Sequence, residues 1–317
     1  MIQAERIKFV NNFPTNQGGK VVVYWMQQAQ RVEFNHALEY AIFRANEMKL
    51  PLIVFFGLTP SYPGANARHY KFMLQGLKEV EQSLIARGIG FFMSLTSPAE
   101  GVTNFCDKVE AALLVCDKGY LRIQRQWRQY VNGKMEIQII EVESDVVVPV
   151  EKTTNKEEFA ARTIRPKIHK FWESFLIPLK QQKVIKKPLK IKTEVDLSDI
   201  EKLIKSLPID HSVKDATLVG GRKEAVKHLK SFLELGLKHY AENRNEPSLN
   251  SLSLMSPYLH FGQISALEIA LRVKAIGGES ADVYLEELIV RRELSMNFVW
   301  FNKDYDVYEN ALPNWAI

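Results

Sequence analysis

The hydrophobic period of the chain changes part-way along its length. From Lys20 to Val150, short runs rich in β-branched and aromatic residues alternate with stretches of helical spacing. The runs are Val21 to Trp25, Leu52 to Leu58, Ile89 to Leu95, Leu113 to Asp117 and Ile137 to Val142. Continuous apolar runs of this length are the pattern of strands buried on both faces. Strands alternating with helices pair in parallel, so the order βαβαβαβαβ predicts an α/β unit with a doubly wound, Rossmann-like sheet. Between the second and third runs, Tyr70, Met73, Leu77, Val80 and Leu84 recur at helical spacing, and Gly88 follows where a C-terminal cap belongs. Ser97, Pro98 and Glu100 predict the next helix start, with Ser97 as N-cap and Glu100 closing a capping box.

Beyond about Lys214 the strand signals stop. Glu224 to Tyr240, Ser265 to Ile276 and Ser280 to Trp300 all carry helical periodicity, so a second, all-α domain follows. Ser265 with Glu268 reads as a capping box. Lys180 to Lys192 holds six lysines, one proline and no acid. With the mixed polar stretch after it, it reads as an interdomain linker whose lysines are either simply solvated or DNA-binding. The expected units are an α/β domain at 1–178, a basic linker at 179–213 and a helical domain at 214–317.

Composition narrows the class without naming it. With 46% hydrophobic and 25% charged residues in 317, the chain has the balance of a globular protein with a real core. Its longest apolar runs fall short of the roughly 20 residues a membrane helix needs. Residues Met1 to Phe13 lack the apolar stretch of a signal peptide, which predicts a cytoplasmic protein, or a nuclear or organellar one in a eukaryote. Cys106 and Cys116 fit neither a disulfide framework nor a metal site and read as buried thiols. The net charge of +5 permits an anionic partner but is too small to identify one.

Candidate chemistry is confined to a few places. A dinucleotide enzyme of this wiring would place GxGxxG after its first strand, whereas this turn reads Met26, Gln27, Gln28, Ala29, Gln30, which argues against an NAD site. Ser256 followed by Pro257 marks a helix start with Ser251 and Ser253 just upstream. That cluster is either plain N-capping or a seat for a phosphate. Further on, Glu287 and Arg291 stand four apart on a predicted helix and so share a face. They read either as a surface ion pair or as a carboxylate held in a cavity beside a substrate carbonyl.

These stretches, His239 to Ser265 and Tyr284 to Trp300, followed by Asn302, Asp304, Tyr305 and Asp306, resemble the class II cyclobutane pyrimidine dimer photolyases. So do Tyr24 to Met26, Gln30 with Arg31, Asn35 with Ala37 and Leu38, the run Glu143 to Pro149, and Glu158 to Lys167. The resemblance covers nearly the whole chain and is weakest in the linker. It implies an N-terminal antenna-type domain on an all-α domain that binds FAD, and light-driven repair of pyrimidine dimers flipped out of damaged DNA. A deazaflavin-type antenna pigment is a further implied cofactor, and a monomer the implied state.

Carried over residue by residue, the resemblance places an FAD-contacting tyrosine at Tyr240 and a phosphate cradle at Leu252, Ser253, Leu254, Met255 and Ser256. Met255 stands where the family usually has leucine. The glutamate that hydrogen-bonds the dimer falls on Glu287. Arg291, where some members of the family have tryptophan and other class II members have arginine, would stack on the lesion or pair with Glu287. The family continues past the position of Trp315 and Ala316 into helices that complete the flavin pocket. The expectation is therefore a fragment or truncated product in which Leu229, Phe232, Leu288 and Ile289 lose their cover, flavin binds poorly and the chain associates. A non-catalytic remnant and a cryptochrome-type photoreceptor are the alternative readings.

Overall fold

The computed structural model describes residues 2–189, 191–249 and 251–311. Expectations about Lys190 and about Trp315, Ala316 and Ile317 lie outside the described residues.

Strands β2 (Val21–Trp25), β3 (Leu52–Leu58) and β5 (Ala111–Asp117) are buried along their whole length, which is why their sequences are unbroken apolar runs. With β1 (Ile7–Phe9), β4 (Gly90–Leu95) and β6 (Ile139–Val142) they form one sheet in the order β1-β6-β5-β2-β3-β4. All pairings are parallel except the first: β1 runs antiparallel to β6, with Ile7 opposite Val142 and Phe9 opposite Ile140. The sheet is therefore mixed. β1 escapes a sequence reading because three residues, two of them exposed, carry no period.

Helices α1 (His36–Met48) and α2 (Ala67–Ala86) cover one face of the sheet, and α3 (Pro98–Lys108) and α4 (Arg122–Lys134) cover the other. Gly88 takes a left-handed conformation (φ 73°) just past the end of α2, as a C-terminal glycine should. α3 starts at Pro98 as expected, but Ser97 makes no side-chain cap. Both cysteines are buried.

After β6 come a short helix α5 (Val150–Thr153) and α6 (Ala161–Phe175). Although α6 precedes position 178, its Ala161, Ile164, Ile168 and Phe175 join the core of the helical part rather than a face of the sheet. The basic stretch is also more structured than a solvated linker. It includes α7 (Ile200–Ser206), and Val195, Leu197, Ile204 and Leu207 are buried against the face that α1 and α2 cover.

The helical part contains α8 (Arg222–Ser231), α9 (Tyr240–Asn243), α10 (Ser256–His260), α11 (Ala266–Ile276), α12 (Glu279–Leu285) and α13 (Arg292–Phe301). Two expected continuous helices are broken by wide turns. A π segment at Phe232–Gly236 and a 3-10 turn at Leu237–His239 join α8 to α9, and a π segment at Glu286–Arg291 joins α12 to α13. The capping box at Ser265 is half formed. The hydroxyl accepts from Leu267 N, while the buried Glu268 is drawn away into ion pairs with the partly exposed Arg222 and Arg272. The expected exposure of Leu229, Phe232, Leu288 and Ile289 is not seen: all four are buried in one cluster with Val147, Val148 and α6.

The two parts meet along a tight seam. A Cβ on Gly262 (φ 64°) would stand 1.7 Å from Gln28 O, and one on Gly220 would stand 2.0 Å from Phe72 O. Gln263, 1% exposed, donates to Phe72 O (3.0 Å) and accepts from Gly221 N (2.7 Å). Gly262→Ala therefore combines a left-handed backbone with a backbone clash, and a loss of about 3 kcal/mol or more is expected. Denaturant unfolding checks this, and a midpoint equal to wild type would show that the seam yields freely.

Candidate functional site

The turn after β2 is built before any ligand arrives. Asp117, at the end of β5, accepts from Tyr24 OH (2.8 Å), Gln27 N (2.9 Å) and Ala29 N (3.0 Å). Burial pushes its carboxyl upward against the pull of those donors. Asn35 caps α1 through Leu38 N and donates to Ala29 O and Arg31 O. Residues Gln27 to Gln30 are thereby held at the carboxyl edge of the sheet, where open parallel sheets bind ligands.

Across from this edge stands a wall of helices, and between them lies a cavity of about 870 Å³. Its sheet side carries Trp25, Gln27, Gln28, Gln30, Tyr62 and Trp127, and its helical side carries Tyr240, Ser253, Met255, Ser256, Tyr284, Glu287 and Arg292. Leu252, Leu254 and Arg291 do not line it. Leu252 and Leu254 are exposed, and Leu254 has a left-handed backbone (φ 57°) that turns the chain between Ser253 and Met255.

Tyr240, Tyr284 and Phe232 pack edge-on or tilted at centroid separations between 4.9 and 5.7 Å. Tyr284 donates to Ser253 Oγ (3.0 Å), which also accepts from Met255 N (3.4 Å). Burial holds the Tyr284 phenol up at about 12, and burial together with the Glu287 carboxylate raises that of Tyr240. Both phenols are protonated donors at neutral pH.

The π segment decides how Glu287 is aimed. Its i→i+5 turn puts residues four apart out of line, so the expected Glu287 and Arg291 pair does not form. Glu287 Oε1 instead accepts from Arg244 Nη1 at 2.5 Å, from the end of α9. Arg291 is 56% exposed and, among the described residues, reaches only the carboxylate of Glu286, at 3.8 Å, which Arg165 already grips. Glu287 and Arg244 are each about one-third exposed at the cavity wall (38% and 32%). Sequence reasoning missed Arg244, Tyr284 and Arg292. Tyr284 stands three residues before Glu287 and was open to detection by helical spacing, whereas Arg244 arrives from a segment more than forty positions away.

Arg292 and the next residue dock α13 on the loop after β6. Arg292 donates to Asp145 O (2.7 Å) and Oδ1 (2.9 Å), and Glu293 accepts from Val147 N (2.5 Å) and Val148 N (3.3 Å). Asn297 accepts from Glu158 N and donates to Lys156 O. The residues at 143–149 and 158–167 that carried the family resemblance are thus the framework that places α13.

A model of the DNA photolyase family matches residues 22–186, more than half of the chain. The chain belongs to the DNA photolyase family. It is 42% identical over 316 residues to the deoxyribodipyrimidine photo-lyase of Methanothermobacter thermautotrophicus, covering all of this chain and 69% of that one. It is 35% identical over 300 residues to the deoxyribodipyrimidine photo-lyase of Potorous tridactylus, covering 93% of this chain and 56% of that one. A bacterial class III photolyase from Agrobacterium tumefaciens has the same fold, with a TM-score of 0.64 at 17% identity over 92% of this chain and 63% of that one. The chain thus spans between about half and two-thirds of the length of these photolyases.

Burial raises the Glu293 carboxyl to about 8, outweighing its two backbone donors and the nearby Arg292 and Arg6. A carboxyl with a raised folded pKa contributes its full stability below the unfolded value near 4.5 and loses it as pH rises toward 8, because there the native state alone holds the proton. Glu293→Gln should therefore resist unfolding better relative to wild type as pH climbs from 5 to 9, by a total on the order of a few kcal/mol. Denaturant melts at four pH values measure this; a constant offset between the two proteins would mean that Glu293 is ionised throughout.

Proposed function

We propose that the protein repairs cyclobutane pyrimidine dimers in DNA by a light-driven reaction that uses reduced FAD. The observation that carries the reading is Glu287, held against Arg244 at the wall of a cavity whose helical side also presents Tyr240, Tyr284 and the Ser253 to Ser256 segment. When bound and excited, reduced FAD supplies the electron that opens the cyclobutane ring and receives it back. The protein's part is to seat the flavin, admit an extruded dimer and steady the charge that appears on it.

The residues present suit those tasks. The cavity lies within the size range of ligand sites and is mainly apolar with a few placed polar groups. The Ser253 and Ser256 hydroxyls, with the backbone turned at Leu254, suit a phosphate-bearing stretch, and the protonated phenols of Tyr240 and Tyr284 border it. Glu287 would hydrogen-bond the extruded bases, and Arg244 would fix its direction while the charge moves. Arg291, exposed and loosely paired, would meet the lesion or its phosphates at the rim.

The sheet side of the same cavity supports a second pigment. Among the described residues, Trp25 Nε1, both polar atoms of the Gln27 amide, Gln28 Oε1 and Gln30 Oε1 are buried without a hydrogen-bond partner. Several orphaned groups on one wall are costly unless something meets them. A planar pigment with carbonyl and ring N–H edges, such as a deazaflavin, would do so beside the packed pair Tyr62 and Trp127.

Changing Glu287 to Ala should lower the quantum yield of dimer splitting several-fold while leaving flavin content close to wild type. Arg244→Met should lower the yield as well, by releasing Glu287 from its fixed direction. Repair is read by recovery of thymine absorbance under measured illumination. A wild-type yield in Glu287→Ala would remove the carboxylate from the reaction.

A further inference from the structure

The lysine-rich stretch was left open between solvated and DNA-binding by its sequence, and the structure bears on that choice. From Leu176 to Lys192 there is no acidic residue. A solvated lysine run has no need of a fixed backbone, yet this one is fastened at both ends. Gln182 N donates to Glu39 Oε2 (2.7 Å) and its side chain to Glu39 O (2.8 Å), while Arg87 donates to Gln182 O (3.0 Å). Asn46 donates to Lys183 O (2.8 Å) and accepts from Ile185 N (3.0 Å). Glu39 is 1% exposed, so a buried carboxylate is devoted to holding this strand of chain, and Val184 packs on the core beneath. At the far end Thr193 Oγ1 accepts from Met93 N (3.0 Å), and Glu194 N donates to Met93 O.

The lysines themselves point the other way. Lys180, Lys183, Lys186, Lys187 and Lys192 are exposed, as is Lys49 beside Asn46. Among the described residues none of the six lies within ion-pair distance of a carboxylate, although many other surface lysines do. The segment is neither helix nor strand, and an extended chain places Lys183 and Lys186 roughly 10 Å apart. The ridge is fastened to α1 at its first turn through Glu39 and near its last turn through Asn46, and to the end of α2 through Arg87, so it runs over the outer side of the helices that cover one face of the sheet. None of the described residues of 180–192 lines the cavity.

We propose that the exposed lysines at 180, 183, 186, 187 and 192, with Lys49, are a second nucleic-acid contact, binding the phosphate backbone of duplex DNA without regard to sequence or lesion. An anionic membrane is the weaker fit, because surface binding to lipid uses an amphipathic helix whose apolar face inserts, and this backbone is extended and pinned. Set apart from the lining of the cavity, the ridge engages phosphates other than those of the nucleotides presented there.

The test uses the whole chain and an undamaged duplex oligonucleotide as probe. Replacing Lys183, Lys186 and Lys187 together by Ala should make the slope of log K against log salt shallower by about 2 to 3, as loss of three phosphate contacts requires. Asn46→Ala keeps every charge but frees the backbone, and it should weaken low-salt binding in the same direction. An unchanged slope in the triple variant, or undiminished binding in Asn46→Ala, overturns the proposal. So does a triple variant that keeps DNA binding but no longer binds vesicles of phosphatidylserine and phosphatidylcholine, an outcome that assigns the ridge to lipid. Because the probe carries no lesion, failure here leaves the dimer-repair reading untouched.

Discussion

A chain that runs through the interior without regular structure must find partners for every backbone polar group, and that constraint governs residues 143–149. Their partners come from every quarter. Arg6 donates to the carbonyls of Glu143, Val146 and Val147, and Arg31 reaches Ser144 O from the turn after β2 and Gly262 O from the helical part. The Ser144 hydroxyl accepts from Ala37 N, and Glu293 takes the N–H groups of Val147 and Val148. The N-terminus, the sheet and α13 are thereby referred to one short segment. Loss of any one partner leaves a buried group unpaired, a larger penalty than the net worth of the bond itself.

The constraint also explains what was legible in the sequence. β2 and β3 were read to the residue because strands buried on both faces admit only apolar side chains over their full length. The ends of β4, β5 and β6 were placed within two residues for the same reason. What escaped is non-local or off-period. β1 exists because β6 offers an edge, and the π segment before α13 meets a phase that the docking of Glu293 on Val147 sets from outside the helix.

The site was legible in the same graded way. Helical spacing proposed a partner for Glu287 four residues on, whereas the structure supplies one from α9, and no pattern along the chain encodes that meeting. Glu268 shows the same limit, since its spacing fits a cap but its burial between two arginines decides its partner. Tyr240, Ser253, Met255, Ser256 and Glu287 do come together around one cavity, and that convergence of distant positions is what a family pattern records without stating.

The widened turn at Glu286–Arg291 has a consequence for how this family can vary. Each residue of an α-helix advances about 100° around the axis and each residue of a π turn about 80°, so the wide turn takes up one extra residue, and a single deletion between Glu287 and α13 would restore regular winding with the phase of Glu287 against α13 nearly kept. The anchoring of α13 through Arg292, Glu293 and Asn297 would survive such a change, since those residues keep their own phase. The wide turn is therefore a place of tolerance: a one-codon loss there can be absorbed by the winding itself, with the reactive wall and the scaffold behind it both kept in place.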